Sequence, residues 1–355
     1  MSTAAARELV MEHGFNATAY QVLNPGIEHW FSADGSGLVG YVRRRRVLLA
    51  AGDPVCAHGR LRAIVEAFEA FARAQGCRVC YVCAEGRLRR VLAGSAHHSA
   101  VAVGAQPVWS PSAWPQIVQH SASLRAQLNR ARNKGVSVAP LPAAIGARQP
   151  ELRALLREWL GARDWPPMHF LATPATLSGV LEDRMLLVAR RAGRAVAFLL
   201  ASPVAARNGY LVEQIVRSPS APNGTSELLV DAAMRRFSHQ GRAFVTLGLV
   251  ALAVSAAREI DNNPLWLRML MRWARAHANR FYNFRGLEHF RTKMLPERWE
   301  PVYAISNQPR FSVGTLYALG EAFAGNALWR AFAQGIARAL RHEARTLAGW
   351  SRRSR

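Results

Sequence analysis

The sequence predicts an α/β (α+β) chain made of two copies of one mixed strand–helix unit, and three observations predict it. A segment recurs at a constant offset. Short apolar runs of strand length alternate with amphipathic runs of helical period. Half of the 355 residues are apolar or aromatic, enough for two cores of ordinary size. The repeat weighs most, because missed self-similarity misassigns a fold. Pro54 matches Pro219, Gly59 matches Gly224, Val65 matches Val230, and Ala67 matches Ala232. Gln75 and Gly76 match Gln240 and Gly241, all at 219 − 54 = 165 residues, and acidic Glu66 falls on Asp231. Six identities in register across one turn–helix–Gly–strand unit point to duplication.

The elements follow in order. Leu38–Arg43 and Val47–Ala51 read as a hairpin across the Arg43–Arg46 run, then come a helix Leu61–Ala74, a strand through Val82, a short helix from Leu88 and a strand from Val101. Ser123–Lys134 places Leu124 and Leu128 on one helical face and ends at Gly135. A Pro-rich connector follows, Ala139-Pro140-Leu141-Pro142. The second half repeats the order. Met185–Ala189 and Ala195–Ala201 form a hairpin around Ala192-Gly193, and Tyr210–Val216 is a third strand. Pro-Asn-Gly opens a helix Thr225–His239, Ala243–Val250 is a buried strand, a helix runs from Pro264 to Ala278, and Glu300–Ile305 closes with a strand. The units expected are 1–122, a linking helix and connector 123–150, 151–310, and a helical extension 311–355. Hairpin, strand, helix, strand, helix, strand resembles the layout of the GCN5-related acyltransferase (GNAT) fold, here in tandem.

Charge bounds the partners. Lys plus Arg number 46 against 23 acids, a net +23, which favours polyanions such as nucleic acid or anionic lipid. The only lysines are Lys134 and Lys293; a lysine in so Arg-rich a chain hints at chemistry needing a compact ammonium. Cys77, Cys80 and Cys83 lie on a predicted strand, with Cys77 and Cys83 facing one way and Cys80 the other; without further paired Cys or His they read as core residues, not a zinc site. Reduced thiols, the absence of an apolar signal segment, and a longest apolar stretch of only Val245–Ala257 lead to the expectation of a cytoplasmic chain whose membrane role is peripheral. Trp329, Phe332, Ile336, Leu340, Leu347 and Trp350, with Arg338, Arg341 and Arg345 on other faces, read as a basic amphipathic tail suited to an anionic membrane or to packing on the second unit.

A GNAT enzyme that uses coenzyme A cradles pyrophosphate on the amides of a Gly-rich turn at a helix start. Arg217-Ser-Pro-Ser-Ala-Pro-Asn-Gly224 has one Gly and two Pro, and each Pro removes a donor. In the first half, Asp53 of Gly52-Asp53-Pro54 would repel phosphate. The fold is therefore expected to serve a different acyl donor, with no bound cofactor or metal.

The string Phe281-Tyr282-Asn283-Phe284-Arg285-Gly286-Leu287, continuing through Phe290-Arg291-Thr-Lys293-Met294-Leu-Pro296 to Trp299-Glu300-Pro301, resembles the C-terminal region of lysyl- and alanyl-phosphatidylglycerol synthases, the multiple peptide resistance factors. Gly52-Asp53-Pro54, the helix from Leu124 to Val138, Pro222-Asn223-Gly224-Thr225 and Leu247-Gly248-Leu249 resemble positions of the same family, so the likeness covers roughly residues 15–310. The resemblance implies tandem acyltransferase domains, aminoacyl-tRNA as donor, phosphatidylglycerol as acceptor, and transesterification at the inner face of the cell membrane. Two departures stand out. Full-length members carry an N-terminal flippase, which is not expected in this chain, and where they place an acid three residues before the strand-end Arg this chain has Gln214, with Glu213 one earlier.

Roles follow. Lys293 can stabilise the developing oxyanion or hold the terminal tRNA phosphate. Arg217, at the end of the third strand, can grip phosphate or the ester carbonyl, and Glu213 or Gln214 can orient the attacking hydroxyl or the donor amine. Arg291 reads as a phosphate contact, and Asn283, Asn223 and Gly224 as substrate contacts. Asp231 and Arg235, four apart on a helix, read as a pair beside the substrate. Arg125, Arg130, Arg132 and Lys134 form a candidate tRNA or headgroup patch. Two other readings stay open: the same donor with another acceptor, or a non-catalytic GNAT-like binding module.

Overall fold

In the computed structural model, which describes residues 2–162, 169–172, 176–277 and 284–324, the repeated segment takes the same shape twice. In chain order the first half forms α1 (Thr3–His13), β1 (Glu28–Phe31), β2 (Gly37–Arg44), β3 (Val47–Ala51), β4 (Val55–Cys56), α2 (Leu61–Ala74), β5 (Arg78–Ala84), α3 (Gly86–Val91) and β6 (Ser99–Trp109). Next come α4 (Trp114–His120), α5 (Ala122–Asn133), β7 (Val136–Pro142), α6 (Ala143–Gly146) and α7 (Pro150–Gly161). The second half forms β8 (Met185–Arg191), β9 (Arg194–Val204), β10 (Gly209–Arg217), α8 (Thr225–His239), β11 (Phe244–Thr246), β12 (Val250–Ala251), α9 (Ala257–Asp261), α10 (Leu265–His277), α11 (Phe284–Thr292) and β13 (Arg298–Ser306), followed by α12 (Val313–Ala324).

The matched Gln-Gly pairs have a common cause. After α2 and after α8, Gly76 and Gly241 take φ +65° and +63°, a left-handed conformation that glycine adopts freely. The next N–H then reaches back to the last turn: Cys77 to the Ala72 carbonyl and Arg242 to the Phe237 carbonyl, both at 2.9 Å. Each helix thus stops at the same point and feeds a strand parallel to the one before it, β5 beside β3 and β11 beside β10.

Among the described residues the strands form one sheet, ordered β1-β2-β3-β5-β13-β6-β11-β10-β9-β8-β7. The closing strands are exchanged. β6 of the first half pairs with β11 of the second, while β13 of the second pairs with β5 of the first. β13 and β6 also run antiparallel from Arg298↔Val108 to Ser306↔Ser99, which joins the two halves through their own last strands.

The Pro-rich connector is itself an edge strand, β7, paired with β8 from Val136↔Arg191 to Pro142↔Met185. Pro140 and Pro142 are tolerated there because an edge strand needs donors on one side only. Cys83 also departs from expectation. Its φ of +60° and a bulge opposite Tyr303/Ala304 put it in the same core cluster as Cys80, not on the face of Cys77.

Each face of the sheet is covered. α2 buries Leu61, Ile64, Val65, Phe68 and Ala72, at helical spacing, on one face of the first half, and α8 does the same for the second with Leu229, Ala233, Met234 and Phe237. The opposite faces take Ala6 and Val10 of α1 with Ala318 and Ala322 of α12, and Leu152 and Leu155 of α7. Each fully buried Leu or Phe contributes on the order of 1.5–3 kcal/mol. The tail beyond residue 324, and Asn283, lie outside the described residues.

Candidate active site

β10 and β11 pair for only three residues, Gly209–Leu211 against Phe244–Thr246. Beyond them β10 carries an extra residue, Glu213, in its pairing with β9: Val212 faces Ala201 and Gln214 faces Leu200. Such a bulge bends and twists its strand. On the other side β11 ends before Gly248, whose φ is +73° and whose N–H turns back to the Thr246 hydroxyl at 3.0 Å. The continuous strand expected over Ala243–Val250 is therefore broken, and β12 pairs with β6 instead. The two parallel strands splay, and the mouth of the splay carries Arg217, the turn 218–224 and the first turn of α8.

Glu213 is held inside. Its carboxylate takes Arg184 Nε at 2.9 Å and Nη2 at 3.4 Å, with both side chains nearly unexposed. Arg184 also donates to Asn24 Oδ1 at 2.7 Å and to the Val180 carbonyl at 3.0 Å. The acid read as a candidate base is thus a cross-link between β10 and the segment before β1. The bulge sends Gln214 to the face opposite Val212, with Oε1 buried and without a partner.

Arg217 folds over its own turn, donating to the Ala221 carbonyl at 2.7 Å and to Asn223 Oδ1 at 3.3 Å, while its Nε is buried and unpartnered. The turn's amides are largely engaged: Ser218 with the Val196 carbonyl, Ala221 with the Ser218 carbonyl, Thr225 with the Pro222 carbonyl and Ser220 with the Ser218 hydroxyl. Pro219 and Pro222 have none to give. Gly224 has φ +91°, and a Cβ there would lie 2.0 Å from the Gln127 carbonyl oxygen. Its place is to let α8 start hard against α5.

α11 brings two cations to this mouth. Lys293 Nζ pairs with the Glu227 carboxylate in the first turn of α8 and sits 5.6 Å from the Phe290 ring centroid. Arg291 donates to the Leu249 carbonyl at 2.9 Å and so pins the broken end of β11. Glu227 was not singled out by sequence; its signal is an acid three residues after a helix-opening Gly, where the helix dipole favours negative charge.

Other candidates lie apart from the mouth. Asp231 is buried and accepts from Trp114 Nε1 at 2.9 Å, Arg132 Nη2 at 2.8 Å and Arg235 Nε at 3.0 Å. Asp231 and Arg235 form the pair read from their spacing, and Asp231 binds α8 to α4 and α5. Arg125 caps the end of α4, donating to the carbonyls of Val118 and Gln119. Of the basic patch, Arg130 and Lys134 are exposed and make no ion pair among the described residues.

A second polar cluster was missed. Arg207 bridges Glu85 (3.2 Å) and Glu300 (2.9 and 2.7 Å), Gln106 donates to Glu85 at 3.0 Å, and the Arg207 guanidinium lies 3.5 Å from the Phe244 ring centroid. Burial pushes Glu85 up, opposed by Arg207. Partial burial raises Glu300 too, but hydrogen bonding and charge from Arg207 and Arg298 bring it below its ordinary value. Beside it opens a cavity of about 740 Å³ lined by Arg87, Arg89, Arg90, Arg207 and Glu300. The residues come from four separate segments, so no local motif could reveal them. Among the described residues no group of three His, Cys, Asp or Glu could hold a metal, and the four cysteines are free and buried.

A duplicated unit whose parallel strands splay beneath a helix start defines a tandem fold of the GCN5-related type. The chain belongs to the family of phosphatidylglycerol lysyltransferase C-terminal domains, whose profile matches residues 7–306. It is 26% identical over 308 residues to the lysylphosphatidylglycerol biosynthesis bifunctional protein LysX of Mycolicibacterium vanbaalenii, covering 82% of this chain and 27% of that protein. It is 20% identical over 298 residues to a phosphatidylglycerol lysyltransferase of Staphylococcus epidermidis, covering 84% and 35%. The chain thus spans about a third or less of the curated relatives it matches. Two solved structures share the fold. One is the C-terminal domain of an assigned lysylphosphatidylglycerol synthetase from Agrobacterium fabrum (TM-score 0.74, 22% identity, 91% of this chain and 97% of that one). The other is L-PGS from Bacillus licheniformis (0.70, 18%, 90% and 96%).

Proposed function

We propose that the chain transfers an aminoacyl group, lysyl or alanyl, from aminoacyl-tRNA to a hydroxyl of phosphatidylglycerol, working peripherally at the cytoplasmic face of the cell membrane. The observation that carries this reading is the turn between β10 and α8. Its prolines and its internally bonded amides leave little to hold a nucleotide pyrophosphate, while Lys293 stands at the adjoining helix start. Family membership and the net charge of +23 support an RNA-borne donor and an anionic acceptor.

In the proposed step a lipid glycerol oxygen attacks the carbonyl carbon of the aminoacyl ester. The bond from that carbon to the terminal ribose oxygen breaks, and the proton of the lipid hydroxyl passes to the departing ribose oxygen. Negative charge gathers on the carbonyl oxygen in between, and Lys293 is the cation placed to meet it. Arg217 holds the turn, and Arg291 fixes the broken end of β11 that walls the cleft. The donor is already an activated ester, so this chemistry calls for neither metal nor cofactor.

The experiment is transfer of label from charged tRNA to lipid by the purified chain, with the lipid extract read by mass spectrometry. Aminoacylated phosphatidylglycerol is the expected product. Consumption of charged tRNA with unchanged lipids would select another acceptor, and no consumption at all would select a non-catalytic module. Turnover of acetyl-CoA in place of charged tRNA would overturn the donor assignment.

A further inference from the structure

Five of the nine large apolar side chains exposed among the described residues lie on one helix, α10. Leu265, Trp266, Met269, Leu270 and Trp273 are exposed by 64%, 37%, 64%, 41% and 50%. At about 100° per residue they cover an arc of about 140°. The opposite face is anchored. Leu267 is buried in the core that holds Val42 and Leu49, Met271 packs against that core, and Arg275 donates to the Leu252 carbonyl at 2.7 Å. Arg268 and Arg272 border the apolar arc, and the Arg272 side chain is 78% exposed.

A patch of this kind on a soluble surface marks an interaction site. The bordering arginines, on a chain of net charge +23, select an anionic occupant. Apolar Leu, Met and Trp edged by Arg is the composition of a helix lying in a membrane interface. Thirteen residues give about 20 Å of helix, short of the roughly 30 Å needed to span hydrocarbon, so the helix would lie flat. Position agrees: Arg275 of α10 pairs with Glu288 of α11 at 3.4 Å, and α11 leads directly into Lys293 at the cleft.

We propose that α10 docks the protein on an anionic bilayer, inserting the Leu265–Trp273 face among the headgroups with Arg268 and Arg272 on lipid phosphates. This deepens the lipid-acceptor reading and rests on it for its purpose, while its test stands apart. The probes are vesicles of phosphatidylcholine with or without about one third phosphatidylglycerol. The full chain carries Met269→Cys labelled with a polarity-sensitive fluorophore, selective because all four native cysteines are buried. Expected results are a blue shift with the anionic vesicles that weakens in high salt, and flotation at least about tenfold weaker for L265S/M269S/L270S at an unchanged thermal midpoint. Flotation of the triple variant equal to wild type overturns the proposal. So does a label already shielded without vesicles, whether by a second copy, which concentration dependence would show, or by the chain's own residues. Transfer to phosphatidylglycerol in detergent micelles separates the two readings. A triple variant that transfers there but does not float supports docking through α10, whereas vesicle binding by a wild type inactive in micelles removes the transferase reading and leaves the docking intact.

Discussion

Lys293 and Glu227 meet at the first turn of α8, an ammonium from the end of α11 against a carboxylate whose side chain is 9% exposed. The start of a helix attracts anions and repels cations. Glu227 therefore does two things: it satisfies the helix end, and it makes room there for a positive charge. The Lys293 ammonium then stands at one side of the splay between β10 and β11, where the proposed step gathers charge on an ester oxygen.

Replacing Lys293 with Ala should lower the transfer rate by about 10²–10³, the usual cost of losing one group that meets an oxyanion. Stability should fall by only about 1 kcal/mol, because Lys293 is a quarter exposed and the helix end still steadies Glu227. Lys293→Arg should recover part of the rate. Initial rates of lipid labelling, with urea midpoints measured alongside, check both parts; full activity in Lys293→Ala would remove the residue from the chemistry.

The buried pair Glu213–Arg184 should behave in the opposite way. Removing one partner leaves a charge inside the protein, at a cost of about 3–5 kcal/mol. Glu213→Leu alone should be severely destabilised, and the double variant with Arg184→Met should regain most of the loss. Gln214→Ala, which leaves no charge behind, should cost about 1 kcal/mol or less. Urea denaturation of wild type, Glu213→Leu, Arg184→Met and the double variant gives the coupling, with Gln214→Ala measured beside them. A stable but inactive Glu213→Leu would instead mark Glu213 as a group that meets substrate.

What the sequence reveals follows from how local each signal is. The ends of α2 and α8 were legible to the residue because Gln-Gly encodes a left-handed stop that any helix would obey. The break after β11 was not, since Gly248 turns back on the Thr246 hydroxyl while the next residue, Leu249, is held by Arg291 from a distant helix. The Pro-rich segment Ala139–Pro142 reads as a connector because proline opposes strands in general, and only its place at the sheet edge reverses this. At the site, Lys293 stood out by its rarity and Arg217 by its position. Their partners Glu227, Ala221 and Asn223 could be named only from the fold. Arg184 and Arg207, two of the most connected guanidiniums, carry no motif at all and act through residues more than a hundred positions away, such as Asn24 and Glu85.

Gly224→Ala tests whether α8 must start against α5. The new methyl group would sit 2.0 Å from the Gln127 carbonyl oxygen at a residue whose φ is +91°. Both backbone strain and overlap are involved, each costing about 1–3 kcal/mol. Thermal unfolding should show a loss of at least about 2 kcal/mol. The same change at Gly59, the matching position of the first half, meets nothing within 4 Å and should be nearly neutral. Equal losses at the two sites would mean that the repeat imposes one conformational demand on both copies.

Asp53 makes stability depend on pH. Burial, then the charge of Glu85, pushes its carboxyl up to about 8, although the Glu85 amide donates to Oδ1 at 3.0 Å; Oδ2 is buried and without a partner. In the unfolded chain an Asp loses its proton near pH 4. Between those values the folded protein keeps a proton that the unfolded chain has released, so stability declines as pH rises through the window and is lowest above about 8. Asp53→Asn imitates the protonated acid and cannot ionise. Its stability relative to wild type should therefore be near parity below about pH 4 and rise through the window by up to about 1.4 kcal/mol per pH unit, levelling off above about 8. Urea midpoints taken across that range decide the matter: a difference that stays flat with pH would show that Asp53 is ionised throughout, its charge offset by Arg87.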